Sequence, residues 1–170
     1  MDIRAFHGWL ERRAENVAAF LLAAMFVAFL VQILFRYALD LPVGWTHEIS
    51  VIAWIWLVLW GAAFVVRESD EIRFDLIYGA VQAPTRRIMF LAAAFSLVAL
   101  YAISLPAVVD YVLFMRVQRT AYMKIRFDWL FSIYIVFAVA MIVRYLWLGF
   151  DALRGKAPDA FDATKASSGV

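Results

Sequence analysis

The sequence contains no cysteine and only two histidines. Without cysteine there is no disulfide framework, no thiol–disulfide exchange and no thiolate metal ligation, whatever the redox compartment. His7 and His47 both lie outside the apolar runs, so a helical bundle carrying haem on axial imidazoles inside its helices is not expected. Charge is scarce too: Asp, Glu, Lys and Arg make up 18% of the chain, against about 25% in soluble domains. Where charge does occur it avoids the middle of the long apolar runs, none of which holds an acid near its centre. A proton-coupled carrier working alone usually needs such a carboxylate. Neither a nucleophile arrangement nor a set of cofactor ligands is visible, so no enzyme activity, cofactor or metal is expected. The net charge of +2 gives no reason to expect a nucleic-acid partner.

What the chain does have is oil. Hydrophobic residues make up 66% of it, where soluble domains carry about 45–50%. A hydrocarbon core of about 30 Å needs about 20 apolar residues per helical crossing, and four runs reach or approach that length: Val17 to Leu34, Ile49 to Val66, Ile88 to Val109 and Trp129 to Phe150. The expected fold is therefore an all-α membrane protein with four transmembrane helices, at about 17–37, 48–67, 87–110 and 129–150, within a membrane domain of residues 17–150. Pro42 and Gly44 lie in a connection short enough for the first two helices to form an antiparallel hairpin. Pro106 is expected to bend the last turn of the third. Residues 1–34 match a cleaved signal peptide poorly, the apolar stretch being too long, and should remain as the first span.

Arginine and lysine orient the bundle. Arg4, Arg12, Arg13, Arg67, Arg73, Arg86, Arg87, Arg154, Lys156 and Lys165 fall on one side, ten residues against the five of Arg36, Arg116, Arg119, Lys124 and Arg126. The positive-inside rule then places both termini in the cytoplasm. Residues 71–82 read as a short interfacial helix between the second and third spans. Phe74, Ile77, Tyr78 and Val81 recur at helical spacing, while Asp75 and its charged neighbours fall largely elsewhere around the wheel; an ordinary polar loop is the alternative. Residues 1–16 form a weaker interfacial segment, and residues 151–170 a disordered cytoplasmic tail.

Few side chains are candidates for specific roles. Arg36 and Glu48 stand at adjoining ends of the first hairpin and are a candidate charge pair; separately solvated boundary charges would read the same way. Arg144, within the fourth helix, is close enough to its end to snorkel toward phosphates. Trp56 and Trp60 lie one turn apart beside Gly61, a large surface for packing against a partner protein or simply against lipid. Arg116, Arg119, Lys124 and Arg126 crowd the loop between the third and fourth spans. They could steer an acidic partner or be merely solvated.

The order of short motifs carries more. Gln32, Phe35, Arg36 and Tyr37, then Pro42, Gly44, Trp45 and Glu48, then a helix reaching Gly61, Ala62 and Arg67, then Ile72, Asp75 and Leu76, resemble the small membrane subunit of tripartite ATP-independent periplasmic (TRAP) transporters, the DctQ family. The similarity runs over about residues 15–150. His47 stands where the family often has an acid before Glu48, and Asp70 and Glu71 stand where a histidine is often found. The resemblance implies a bacterial inner-membrane complex in which a large multi-spanning subunit moves an organic anion, a dicarboxylate or sugar acid, with sodium. A periplasmic substrate-binding protein delivers the cargo, and this chain is the static scaffold. A self-sufficient small homo-oligomeric transporter is the alternative.

Overall fold

The computed structural model describes residues 3–41, 43–66 and 82–154. Helix α1 runs Ile3–Ala38, α2 Gly44–Trp60, α3 Ala83–Phe114 and α4 Phe127–Leu153. All four are long and apolar enough to cross a bilayer. Helices are what such a composition permits, because hydrocarbon cannot satisfy a peptide N–H or C=O and each spanning segment must do so internally. Among the described residues the strand-like pairing is a single antiparallel bridge between Arg119 and Arg126.

The helices overrun the apolar runs that announce them. Helix α1 continues back to Ile3 with no break near residue 16, giving 36 residues and a length of about 54 Å. Its charged stretch, Glu11 to Glu15, consists largely of good helix formers, so the hydrogen-bond ladder does not stop where lipid does. Helix α3 passes through Pro106 and goes on to Phe114, so the proline is interior rather than in the last turn. A proline removes one ladder donor, a defect that spanning helices tolerate. Helix α2 ends in a π-helical turn, Gly61–Val65, closed by the Val66 N–H on the Gly61 carbonyl at 2.9 Å.

The chain divides into two units, Met1–Val66 with Ser104–Ala140, and Arg67–Ile103 with Met141–Val170. In the first, α1 packs against α2 and its π-turn. The buried positions there are mostly small: Ala14, Ala28, Ala53, Ala63 and Ala138, with Ile133 as the large side chain fully enclosed. Small residues let backbones approach closely, which is how helices gain dispersion contacts when lipid leaves little hydrophobic drive between them. In the second unit Phe90, Ala94, Met141, Tyr145 and Ala152 are buried. Arg87 donates to the Leu153 carbonyl there, supplying one of the acceptors that the end of α4 leaves open.

The outward surface is apolar. Phe20 is 71% exposed, Phe95 76% and Ile103 80%. A soluble protein would not present such a surface continuously, and lipid or partner helices are its natural covering. The interfacial helix expected at 71–82, with Phe74, Asp75, Ile77, Tyr78 and Val81, lies outside the described residues except for Gln82; of the tail expected at 151–170, residues 151–153 are instead the end of α4, and the part from residue 155 lies outside the described residues.

Two tryptophans of α2 bind the first unit together. The indole N–H of Trp56 donates to the Leu130 carbonyl at 3.0 Å, and that of Trp60 to the Ala14 carbonyl at 3.1 Å. Replacing either by Phe keeps the ring and removes the donor, so each should cost about 0.6 kcal/mol, the mean for an interhelix hydrogen bond in lipid. Trp→Ala at the same sites, which also empties volume, should cost about 3–5 kcal/mol. Trp54→Phe, at an exposed position, should change little. Denaturant unfolding in mixed micelles would measure the order, and equal effects at all three sites would contradict it.

Candidate functional site

The most structured polar site lies where the α3–α4 loop meets the start of α2. Helix α1 stops at Ala38, and Asp40 adopts a left-handed conformation with φ 54°, which aspartate tolerates better than most residues. That turn lets the Leu41 N–H return to the Phe35 carbonyl at 3.0 Å. Helix α2 begins at Gly44. Thr46, fully buried, donates its hydroxyl to the Val43 carbonyl at 3.0 Å, and Ser50 donates to the Thr46 carbonyl at 3.0 Å.

The loop is a small hairpin on the end of α3. After a short turn at Met115–Val117, the Thr120 N–H bonds the Ile125 carbonyl at 2.9 Å, and the Phe127 N–H bonds the Gln118 carbonyl at 3.1 Å. Thr120 is buried, and its hydroxyl accepts from the Ile125 N–H at 3.1 Å. Lys124, with φ 56°, takes the left-handed position at the tip.

Glu48 closes the arrangement. Its two carboxylate oxygens accept the N–H groups of Tyr122 at 2.7 Å and Met123 at 2.9 Å. A charged acceptor on two adjacent amides is stronger than a neutral pair. Where the sequence suggests Arg36 as the partner of Glu48, the structure supplies loop backbone instead; Arg36 lies exposed in the last turn of α1. Gly44 makes the second contact. A methyl group built on it would stand 2.1 Å from the Tyr122 ring, so only hydrogen fits under that ring.

The basic loop residues divide. Arg126 is committed: its Nε and a terminal nitrogen grip Asp128 at 3.1 and 2.5 Å, a bidentate geometry. Asp128 also accepts the Trp129 N–H at 2.9 Å in the first turn of α4, where a negative charge suits the helix dipole. Arg116, Arg119 and Lys124 remain exposed. On α2, the Trp56 and Trp60 donors are taken up within the chain, while nothing stands within 4 Å of where a Gly61 side chain would be. No group of three or more His, Cys, Asp or Glu able to hold a metal occurs among the described residues.

Gly44, Thr46, Thr120 and Tyr122 escape sequence reasoning. A glycine after Pro42 and before an apolar helix is a signal for a turn, but it says nothing of the ring that needs the space. The site makes a direct prediction. Glu48→Gln leaves one carbonyl oxygen and turns an NH2 group on a backbone donor, so exchange of the Tyr122 and Met123 amides should quicken by roughly tenfold or more. Gly44→Ala should have a similar effect, relieved by adding Tyr122→Ala. Hydrogen exchange read by mass spectrometry tests both, with Glu11→Gln as control; unchanged protection in Glu48→Gln would show that the carboxylate does not hold the loop.

Comparison with known proteins fits this architecture. No curated protein matches the chain. A family model described as Tripartite ATP-independent periplasmic transporters, DctQ component, matches residues 25–155, a stretch that takes in the C-terminal part of α1, all of α2, α3 and α4, and the clamp between Glu48 and the loop. With that match over most of its length, the chain belongs to the DctQ family, the small membrane subunits of TRAP transporters.

Proposed function

We propose that this subunit is a static brace, holding the scaffold of a large multi-spanning partner in place while that partner moves an organic anion, such as a dicarboxylate or sugar acid, together with sodium. The observation that carries this reading is the placement of its acids. Glu48 lies just past the first turn of α2, Asp128 in the first turn of α4, Asp110 one turn from the end of α3, and Asp151 in the last turn of α4. Glu11 and Glu15 belong to the charged stretch before the long apolar run of α1. Among the described residues no carboxylate is positioned to carry a coupling ion across the bilayer centre. Glu48 and Asp128 are instead used to hold loop and helix end.

Both termini lie in the cytoplasm under this reading, with ten basic residues on that side against five on the other. The 118–126 hairpin then faces the periplasm, and residues 71–82 rest on the cytoplasmic interface. The half-buried rings of Trp56 and Trp60, with the open space at Gly61, form the packing face for the large subunit. Arg116, Arg119 and Lys124 project from a loop already fixed to α2, a basic platform suited to an acidic face of the substrate-binding protein.

In liposomes with an inward sodium gradient, this chain alone should take up no substrate, and the complex with its large subunit should do so only when the binding protein is added. Uptake by the chain alone would instead establish a self-sufficient small homo-oligomeric transporter. Neutralising Arg116, Arg119 and Lys124 together should weaken docking of the binding protein and flatten its salt dependence. Unchanged binding at low salt would remove the platform role.

A further inference from the structure

Along one side of α1 runs an apolar groove of about 650 Å³, lined by Ala19, Leu22, Ala23, Phe26 and Phe29 and closed by Ser50 of α2. Ser50 offers it no spare proton, because its hydroxyl already donates to the Thr46 carbonyl. Ten residues of helix separate Ala19 from Phe29, a length of about 15 Å, and the lining is almost wholly apolar. A lining of that length and polarity suits hydrocarbon chains.

The same side of α1 continues past the groove. Leu22, Phe29 and Arg36 follow at heptad spacing, with Gln32 between the last two, so all four share one stripe. Gln32 is half-buried and Arg36 exposed, and neither side chain bonds a described residue. An amide inside an apolar run needs a hydrogen-bond partner, and the described residues supply none. Read from the end of α1 inward, the stripe presents a guanidinium, an amide about 6 Å deeper, and then only hydrocarbon. A glycerophospholipid has the same polarity order: a phosphate, ester carbonyls and acyl chains.

We propose that this stripe is a phospholipid site. The phosphate sits on the Arg36 guanidinium, a glycerol ester carbonyl accepts from the Gln32 amide, and an acyl chain lies in the groove over Phe29, Phe26 and Leu22. Arg36, which finds no carboxylate at Glu48, gains its counter-ion from the lipid. The lipid in turn gives the outer edge of α1 a fixed covering rather than an exchanging one.

Native mass spectrometry of the full chain, purified in detergent and supplied with phosphatidylglycerol, tests the site. The expected result is one retained lipid per chain. Arg36→Gln should lower its retention by about fivefold, and Gln32→Leu should lower it less. Ala23→Phe, which fills the groove with apolar volume and leaves both polar groups in place, should abolish it, while Arg116→Gln leaves it unchanged. Inorganic phosphate should not displace it. Circular dichroism confirms that each variant keeps its helix content. Retention that is equal in all variants, a dimer in place of the adduct, displacement by inorganic phosphate, or protection of this face by the large subunit instead of lipid would each overturn the proposal.

Discussion

Hydrocarbon accepts and donates no hydrogen bonds, and the arrangement of this subunit follows from that. Every polar group carried into the bilayer must find a partner in protein or lie where water and headgroups begin. The backbone meets the demand by being helical. The side chains meet it in two ways: the Trp56 and Trp60 indoles reach carbonyls on neighbouring helices, and the Ser50 and Thr46 hydroxyls turn back on their own chain. The two carboxylates with the most structured surroundings, Glu48 and Asp128, lie near the starts of their helices, bonded to loop and helix-end donors.

This use of polar groups bears on function. A side chain that must bind and release a coupling ion cannot also be tied into the fold by short bonds to backbone amides. Glu48 takes two such bonds, and the amides belong to a hairpin that is itself closed by Thr120 and seated over Gly44. These contacts tie the loop to the start of α2. Such a tie suits the proposed brace, and it holds the exposed Arg116, Arg119 and Lys124 on a loop fixed to α2.

The four spans were legible because length and hydropathy alone decide whether a segment can cross a bilayer. Helix ends were not, since hydropathy marks where lipid begins and the hydrogen-bond ladder answers to a different rule; α1 running back to Ile3 and α3 running on to Phe114 show the difference. At the site, Glu48 stood out as a boundary acid, but its partners could not be read. Opposite charge within a hairpin points to Arg36, a local signal, whereas the actual donors are main-chain amides 74 and 75 residues away. Backbone groups leave no mark in a sequence. The commitment of Arg126 to Asp128, by contrast, was there to be seen at two-residue spacing.

The central claim is that this subunit keeps one shape while transport proceeds. The absence of cysteine makes a direct measurement possible: cysteines placed at the exposed His47 and Ala121, neighbours of Glu48 and Tyr122, can be joined by a short bismaleimide bridge in the assembled complex with a cysteine-free large subunit. With the loop so locked to α2, the rate of substrate uptake should match that of the unbridged complex. A bridged complex that assembles normally but no longer transports would mean that the loop moves in the cycle, and the brace would have to be abandoned.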